Sequence, residues 1–217
     1  MGDHRRLSFW RNSHTSFTQV SLYGSVQVTE RKVQHAMVAF GANMHVEGMT
    51  LAQTLRAAAA ALTGQDIRVV RMSRLYATPC FPVGAGPDYV NAAAVVETSL
   101  DAAGLLAALH RIEADFGRDR VVRWGQRTLD LDLLAMGDQV LPDAATHHHW
   151  RRLPPQDQAR TAPADLILPH PRLQDRAFVL VPLAEVAPDW RHPILGLTVS
   201  DMLAALNTAD IAAVIPL

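Results

Sequence analysis

One cysteine, Cys80, is all the chain contains, so no intramolecular disulfide can form. That suits a reducing cytosol. No neighbouring histidine or helix start argues that Cys80 is a nucleophile. Net charge is lacking too: 20 basic residues against 21 acidic ones leave −1. Nothing therefore draws the whole molecule to nucleic acid or membrane. No apolar run reaches the roughly 18 residues of a membrane-spanning helix. Near the N-terminus there is no apolar stretch of about 7–15 residues, so a secretory signal is not expected. The string G-x-x-x-x-G-K-[ST] is missing, which excludes a P-loop kinase.

What is present is ample apolar content, 49% of 217 residues, enough for one packed domain with additions. Residues 1–34 are mixed and polar, with no sustained apolar period. They are expected to be a disordered extension ahead of a domain at 35–217. Their Arg and Ser enrichment is faintly similar to a transit peptide. The alternative is a start placed too far upstream, with Met37 the natural one.

From there the chain alternates. His35 to Phe40 reads as a strand that stops at Gly41-Ala42-Asn43. Glycine there lets a backbone approach a ligand closely, though a plain turn is the simpler account. Thr50 N-caps a helix with Leu51, Leu55, Ala58 and Leu62 at helical spacing, closed by Gly64. Ile67 to Met72 is a second strand. Ser73 to Pro87 is too long for a hairpin and has the character of a binding loop. Tyr89 to Thr98 is a third strand, with Val95 and Val96 in the core and Tyr89 and Asn91 sharing a face. Asp101 caps a second helix, whose stripe is Leu105, Leu109, Ile112 and Phe116 and whose end is Gly117. Glu113 lies beside that stripe, as a surface charge or as a group orienting an arginine or a ribose.

After the next strand, Gly137-Asp138 signals a turn and Gln139 to Leu141 a short return strand. Residues 142–164 form a loop insert, in which His147, His148 and His149 are expected to face solvent. Order resumes at Leu166, and Ser200 is expected to cap a last helix. The order β-α-β-β-α-β implies an α+β, ferredoxin-like fold. Its antiparallel sheet has helices on one face, and added C-terminal helices cover part of the other.

The chemistry concentrates between Arg118 and Asp132, R-D-R-V-V-R-W-G-Q-R-T-L-D-L-D. Leu129, Leu131, Leu133 and Leu134 around the aspartates argue for a strand. Asp130 and Asp132 then point to one face, roughly 6–7 Å apart along it. Two carboxylates so placed repel each other unless cations sit between them. A pair of Mg²⁺ ions about 4 Å apart fits, as in phosphoryl transfer. The arginines upstream are permanent bidentate donors suited to a polyphosphate. A solvent-facing carboxylate pair on a half-exposed sheet is the bland alternative.

Five strings in order extend this reading: S-R-L-Y-A-T-P (Ser73–Pro79), P-D-Y-V-N-A-A (Pro87–Ala93), R-I-E (Arg111–Glu113), R-W-G-Q-R-T-L-D-L-D-L (Arg123–Leu133) and L-P-H-P-R-L-Q-D-R-A-F-V-L (Leu168–Leu180). With them the chain resembles the 6-hydroxymethyl-7,8-dihydropterin pyrophosphokinase family of folate biosynthesis, over roughly residues 36 to 200. The resemblance implies transfer of diphosphate from ATP to the pterin hydroxymethyl group, with AMP leaving. It implies that Asp130 and Asp132 hold both Mg²⁺ ions, and that Arg118 and Arg120 reach the phosphates from a mobile loop. Arg127 and Arg123 then contact phosphate or nucleotide, and Trp124 packs the loop or flanks a substrate. Glu113, His170 and Arg176 fall on ATP-touching positions. The pterin stacks between Tyr89 and Phe178, with Thr78 and Asn91 on its edge and with Gly41 and Pro79 beside it. ATP and the pterin are thus the expected partners of a cytoplasmic monomer that binds neither nucleic acid nor membrane.

Three departures from the family stand out. Ala42 replaces a common serine, the arginine loop is one residue shorter between Arg120 and Arg123, and the insert before His170 is long, with Ile167 where some members carry threonine. A two-metal nucleotidyltransferase is the rival enzyme, but it wants a Gly-Ser turn where Arg-Trp-Gly-Gln-Arg stands. A non-catalytic ferredoxin-like module would not need paired aspartates behind an arginine loop.

Overall fold

Three strands with apolar residues on both faces form the middle of the molecule: β1 (Gln34–Ala42), β4 (Tyr89–Thr98) and β5 (Asp130–Met136). A computed structural model describes residues 33–46, 48–64, 66–80, 84, 86–117, 127–154, 156–157 and 161–217. The expected disorder of the N-terminal extension concerns residues that lie almost wholly outside this set. β1 runs between β4 and β5, antiparallel to both. β2 (Ile67–Met72) and β3 (Tyr76–Thr78) pair with successive parts of β4. With α1 (Leu51–Leu62) and α2 (Ala102–Asp115) as crossovers, the order β5-β1-β4-β2 is ferredoxin-like α+β, as expected.

Local signals place the helices. Thr50 and Gln53 form a capping box at the start of α1, and Asp101 accepts from the Gly104 N–H at 2.7 Å to start α2. Gly117 follows α2 at φ +75°, a left-handed stop that glycine adopts without strain. The apolar stripes of both helices pack on one face of the sheet. Leu55, Leu105 and Leu109 meet Val38, Phe40, Leu131 and Leu133 there.

A strand that is apolar on both faces must be covered twice. The second cover comes from α4 (Ala177–Val186) and α5 (Val199–Ala204), whose Leu180, Leu183 and Met202 bury Met37, Ala93, Val95 and Leu134. Further along the same face, the rows carry Asp132, Asp130, Asn91 and Tyr89 instead of apolar residues. The candidate site lies on that polar end.

Several expectations are corrected. The 142–164 insert is not only loop. It contains α3 (Ala144–Arg152), capped by Asp143, which accepts from the Ala145 and Thr146 N–H groups at 2.8 and 2.9 Å. His147 is not solvent-facing but 0% exposed. Helical spacing turns it inward while His149 stays out. Gln139 to Leu141 is not a strand. Only Leu141 pairs, with Leu168 in an isolated bridge. The last-helix cap is Thr198 rather than Ser200, because Asp201 completes a capping box with it. The 73–87 loop contains β3. This strand also pairs with β6 (Ile215–Pro216), which follows a further helix, α6 (Thr208–Ala212).

His147 and His192 form a buried pair with ring centroids 5.7 Å apart. Burial lowers the pKa of both, His192 to about 4, and the adjacent Arg151 charge acts in the same direction. Below the unfolded pKa of about 6.5 the unfolded chain binds protons that the fold refuses. Stability is therefore full above that pH and lost as pH falls toward 4. Urea midpoints should drop between pH 7 and 5, with a slope of at most about 1.4 kcal/mol per pH unit for each histidine. His192→Asn keeps an acceptor for the Ile194 and Leu195 N–H groups that His192 Nδ1 now serves. It should flatten the profile, and an equally steep profile would contradict this origin.

Candidate active site

β5 alternates as its sequence demands. Leu131 and Leu133 point into the α1/α2 core, so Asp130 and Asp132 must share the other face. Both carboxylates are half-buried. Register places Asp130 opposite Gly41 on β1, and Gly41 opposite Asn91 on β4. Asp132 stands opposite Ala39, and Ala39 opposite Ala93. The floor between the carboxylates and β4 is thus made of very small residues. A Cβ added at Gly41 would lie 3.0 Å from Asn91 Oδ1, 3.8 Å from Asp130 Cβ and 4.0 Å from the Tyr89 ring. Asn91 donates through Nδ2 to Thr78 Oγ1 at 2.6 Å, and both are buried. Pro79 follows directly and is exposed. The Cys80 N–H donates to Asp88 at 3.1 Å, tying this segment to the start of β4.

Cationic groups gather around the carboxylates. Arg127 forms an ion pair with Asp130 through Nη1. Burial opposes the Arg127 charge, but Asp130 and then Asp132 hold its pKa above the ordinary value. Arg176 precedes α4. Burial lowers its pKa and the Asp132 charge opposes that, while its guanidinium lies 5.6 Å from the centre of the Phe178 ring. Phe178 is 38% exposed, high for an aromatic within a core helix.

His170 is fixed by its backbone, which donates to the Leu134 carbonyl at 2.7 Å. Its Nδ1 accepts from the Arg172 N–H at 3.1 Å, so the ring proton is on Nε2. Burial, then the Arg176 charge, lower its pKa to about 3, against the pull of Asp130. With its pKa lowered in this way, His170 offers a neutral Nε2–H donor near neutral pH. His170, Arg176 and Asp132 line one cavity of about 380 Å³ beside β5.

Glu113 is not a surface charge. It is 1% exposed, and its Oε1 accepts from the Leu131 N–H at 2.8 Å, between the two aspartates in sequence. Through this bond it holds the strand between the two aspartates. Replacing it with alanine should cost about 1–3 kcal/mol, because a buried N–H loses its acceptor. Urea denaturation reads this, and an unchanged midpoint would refute it. Arg118, Arg120, Arg123 and Trp124 lie outside the described residues.

One residue was missed by sequence reasoning. Asn43 is 5% exposed. Its Oδ1 accepts from the Arg127 N–H at 2.8 Å, its own N–H donates to the Arg127 carbonyl at 3.0 Å, and its Nδ2 donates to the Pro87 carbonyl at 3.3 Å. It clamps the arginine segment to the end of β1. A short amide directly after the strand was the only local signal.

The family model for 7,8-dihydro-6-hydroxymethylpterin-pyrophosphokinase (HPPK) matches residues 37–188. The chain belongs to this family. Similar curated pyrophosphokinases include that of Synechocystis, 39% identical over 69% of this chain and 66% of that one. That of Pseudomonas aeruginosa is 37% identical over 80% of this chain and 92% of that one. Among solved structures, a triple mutant of Plasmodium falciparum HPPK-DHPS matches with TM-score 0.58 and 16% identity, over 82% of this chain and 45% of that one. That likeness supports the fold. The chain spans less than half of that solved chain, and about two thirds or more of the two bacterial enzymes. The pyrophosphokinase of folate biosynthesis uses ATP.

Proposed function

We propose that the polar end of the sheet transfers diphosphate from ATP to the hydroxymethyl oxygen of 6-hydroxymethyl-7,8-dihydropterin, releasing AMP. The observation that carries this placement is the shared face of Asp130, Asp132, Gly41 and Asn91, with Arg127, Arg176 and His170 around it.

The residues fit Mg²⁺. Carboxylate oxygens are the hard donors it prefers. Among the described residues no three His, Cys, Asp or Glu side chains cluster as a metal cage, and Mg²⁺ commonly uses one or two carboxylates plus substrate phosphates. Thr128 Oγ1, close to Asp130 in sequence, is buried with no hydrogen-bond partner among the described residues. When bound, Mg²⁺ would neutralise phosphate oxygens and make the attacking hydroxyl more acidic. The two-ion count belongs to this proposal.

The chain's own residues do the positioning. Arg127 and Arg176 are permanent cations for phosphate oxygens, and His170 donates a neutral Nε2–H. Asn91 and Thr78 meet the polar edge of the pterin, while Tyr89 and Phe178 supply its aromatic faces. Gly41 leaves room for the ring close to Asp130. No side chain need act as general base, because catalysis here is alignment plus charge neutralisation.

The test is direct. The protein, Mg²⁺, ATP and the hydroxymethyl-dihydropterin should yield AMP that depends on all three additions. Absence of AMP above background, or production of ADP instead, would overturn the reading. Among the described residues no helix is long and apolar enough to cross a membrane.

A further inference from the structure

We infer that Trp150, carried by the α3 insert, forms the base-side wall of the nucleotide site and gives it preference for a nucleotide over a bare polyphosphate. This rests on the reading of the site as an ATP-dependent pyrophosphokinase.

The cavity of about 380 Å³ has a mixed lining. Asp132, His170 and Arg176 are the charged and hydrogen-bonding groups already assigned to phosphate and metal. Beside them the lining includes apolar groups, among them Leu106, Leu133, Ile167 and Trp150. A triphosphate alone has no use for an apolar, aromatic wall, whereas a flat heterocycle does. The phosphate-binding groups come from β5 and the segment leading into α4. Trp150 comes from the stretch that makes this insert long.

The wall is anchored. Asp143 caps α3, and Trp150 follows one turn after His147. His147 is fully buried, and its Nε2 donates to the Pro169 carbonyl at 2.9 Å. Pro169 directly precedes His170. The helix bearing Trp150 is thus hydrogen-bonded to the segment that presents His170, so the base wall and the phosphate donor are held in one frame. A tryptophan serving only as core filler would be fully enclosed, but Trp150 is only partly buried and borders the cavity.

The experiment uses the full chain and its Trp150→Ala, Trp150→Leu and Trp150→Phe variants. Calorimetry measures affinity for ATP and for inorganic tripolyphosphate, each with Mg²⁺. Trp150→Ala and Trp150→Leu should weaken ATP roughly tenfold, the scale of one base–aromatic stack, and leave tripolyphosphate unchanged. Trp150→Phe should keep most of the ATP affinity. In turnover, KM for ATP should rise while kcat and KM for the pterin hold. Equal losses for both ligands would place Trp150 in the fold rather than at the base, and no loss for either would remove it from the site. Both results overturn the inference. Thermal melts check folding, and Trp150→Leu retains an apolar side chain should the alanine variant unfold. A wild-type chain that binds ATP selectively but forms no AMP would sink the proposed reaction and leave the Trp150 wall standing.

Discussion

Asp132→Asn should lower the rate of AMP formation by about a thousandfold or more while the protein stays folded. The size follows from several kcal/mol of charge stabilisation that a metal-bound phosphate supplies in the transition state. Asparagine keeps the shape of the side chain but not its charge, so a cation held by Asp132 would lose an anionic ligand. The fold should tolerate the change because Asp132 faces the cavity, opposite Ala39, and packs into neither apolar core. Arg176 loses the opposing charge that acts on it most strongly but still feels Asp130. The checks are single-turnover rates across a Mg²⁺ titration, with a thermal melt alongside. Turnover at the wild-type rate would refute the metal role. A melt collapsing together with activity would show a structural one.

Gly41→Val should reduce kcat/KM for the pterin roughly a hundredfold, the cost of losing about 3 kcal/mol of stacking and edge hydrogen bonds. Even a Cβ at this position would press on Asn91 Oδ1 at 3.0 Å. Asn91 could yield only by straining its 2.6 Å bond to Thr78. The further methyl groups of valine would occupy the space between Asp130 and the Tyr89 ring. The strand itself should not suffer, since β-branched residues suit strands and Gly41 lacks a left-handed φ. Gly41→Ala should fall between the two. ATP affinity, measured separately, should hold, because no β1 residue lines the cavity that holds Asp132, His170 and Arg176. An unchanged pterin KM in Gly41→Val would remove Gly41 from the slot.

Much of this site was legible in order of residues. Asp130 and Asp132 were bound to share a face once Leu131 and Leu133 required the other. Tyr89 and Asn91 followed by the same alternation, and Thr50 and Asp101 announced their helices. Glu113 shows where that reasoning stopped. Its neighbours are apolar and helical, and only the packing of α2 on β5 reveals that its carboxylate serves the Leu131 N–H. His147 is a second case. Three adjacent histidines read as solvated, yet the Asp143 cap starts a helix that turns one of them under Pro169.

The sequence by itself determined the β-α-β-β-α-β order of the core, the capping of the first helices, the aspartate face and the family. These depend on period and on residues a few positions apart, which a chain carries in plain order. Tertiary structure alone decided which distant parts meet. Asn43 holds Arg127 across 84 positions, Asn91 meets Thr78 across 13, and Trp150 comes to the cavity of Asp132 and Arg176 from an insert whose composition reads as loop. The physical reason is that a buried hydrogen bond or an apolar wall selects its partner by position in space. Until the sheet closes and both faces are covered, no local pattern specifies that position.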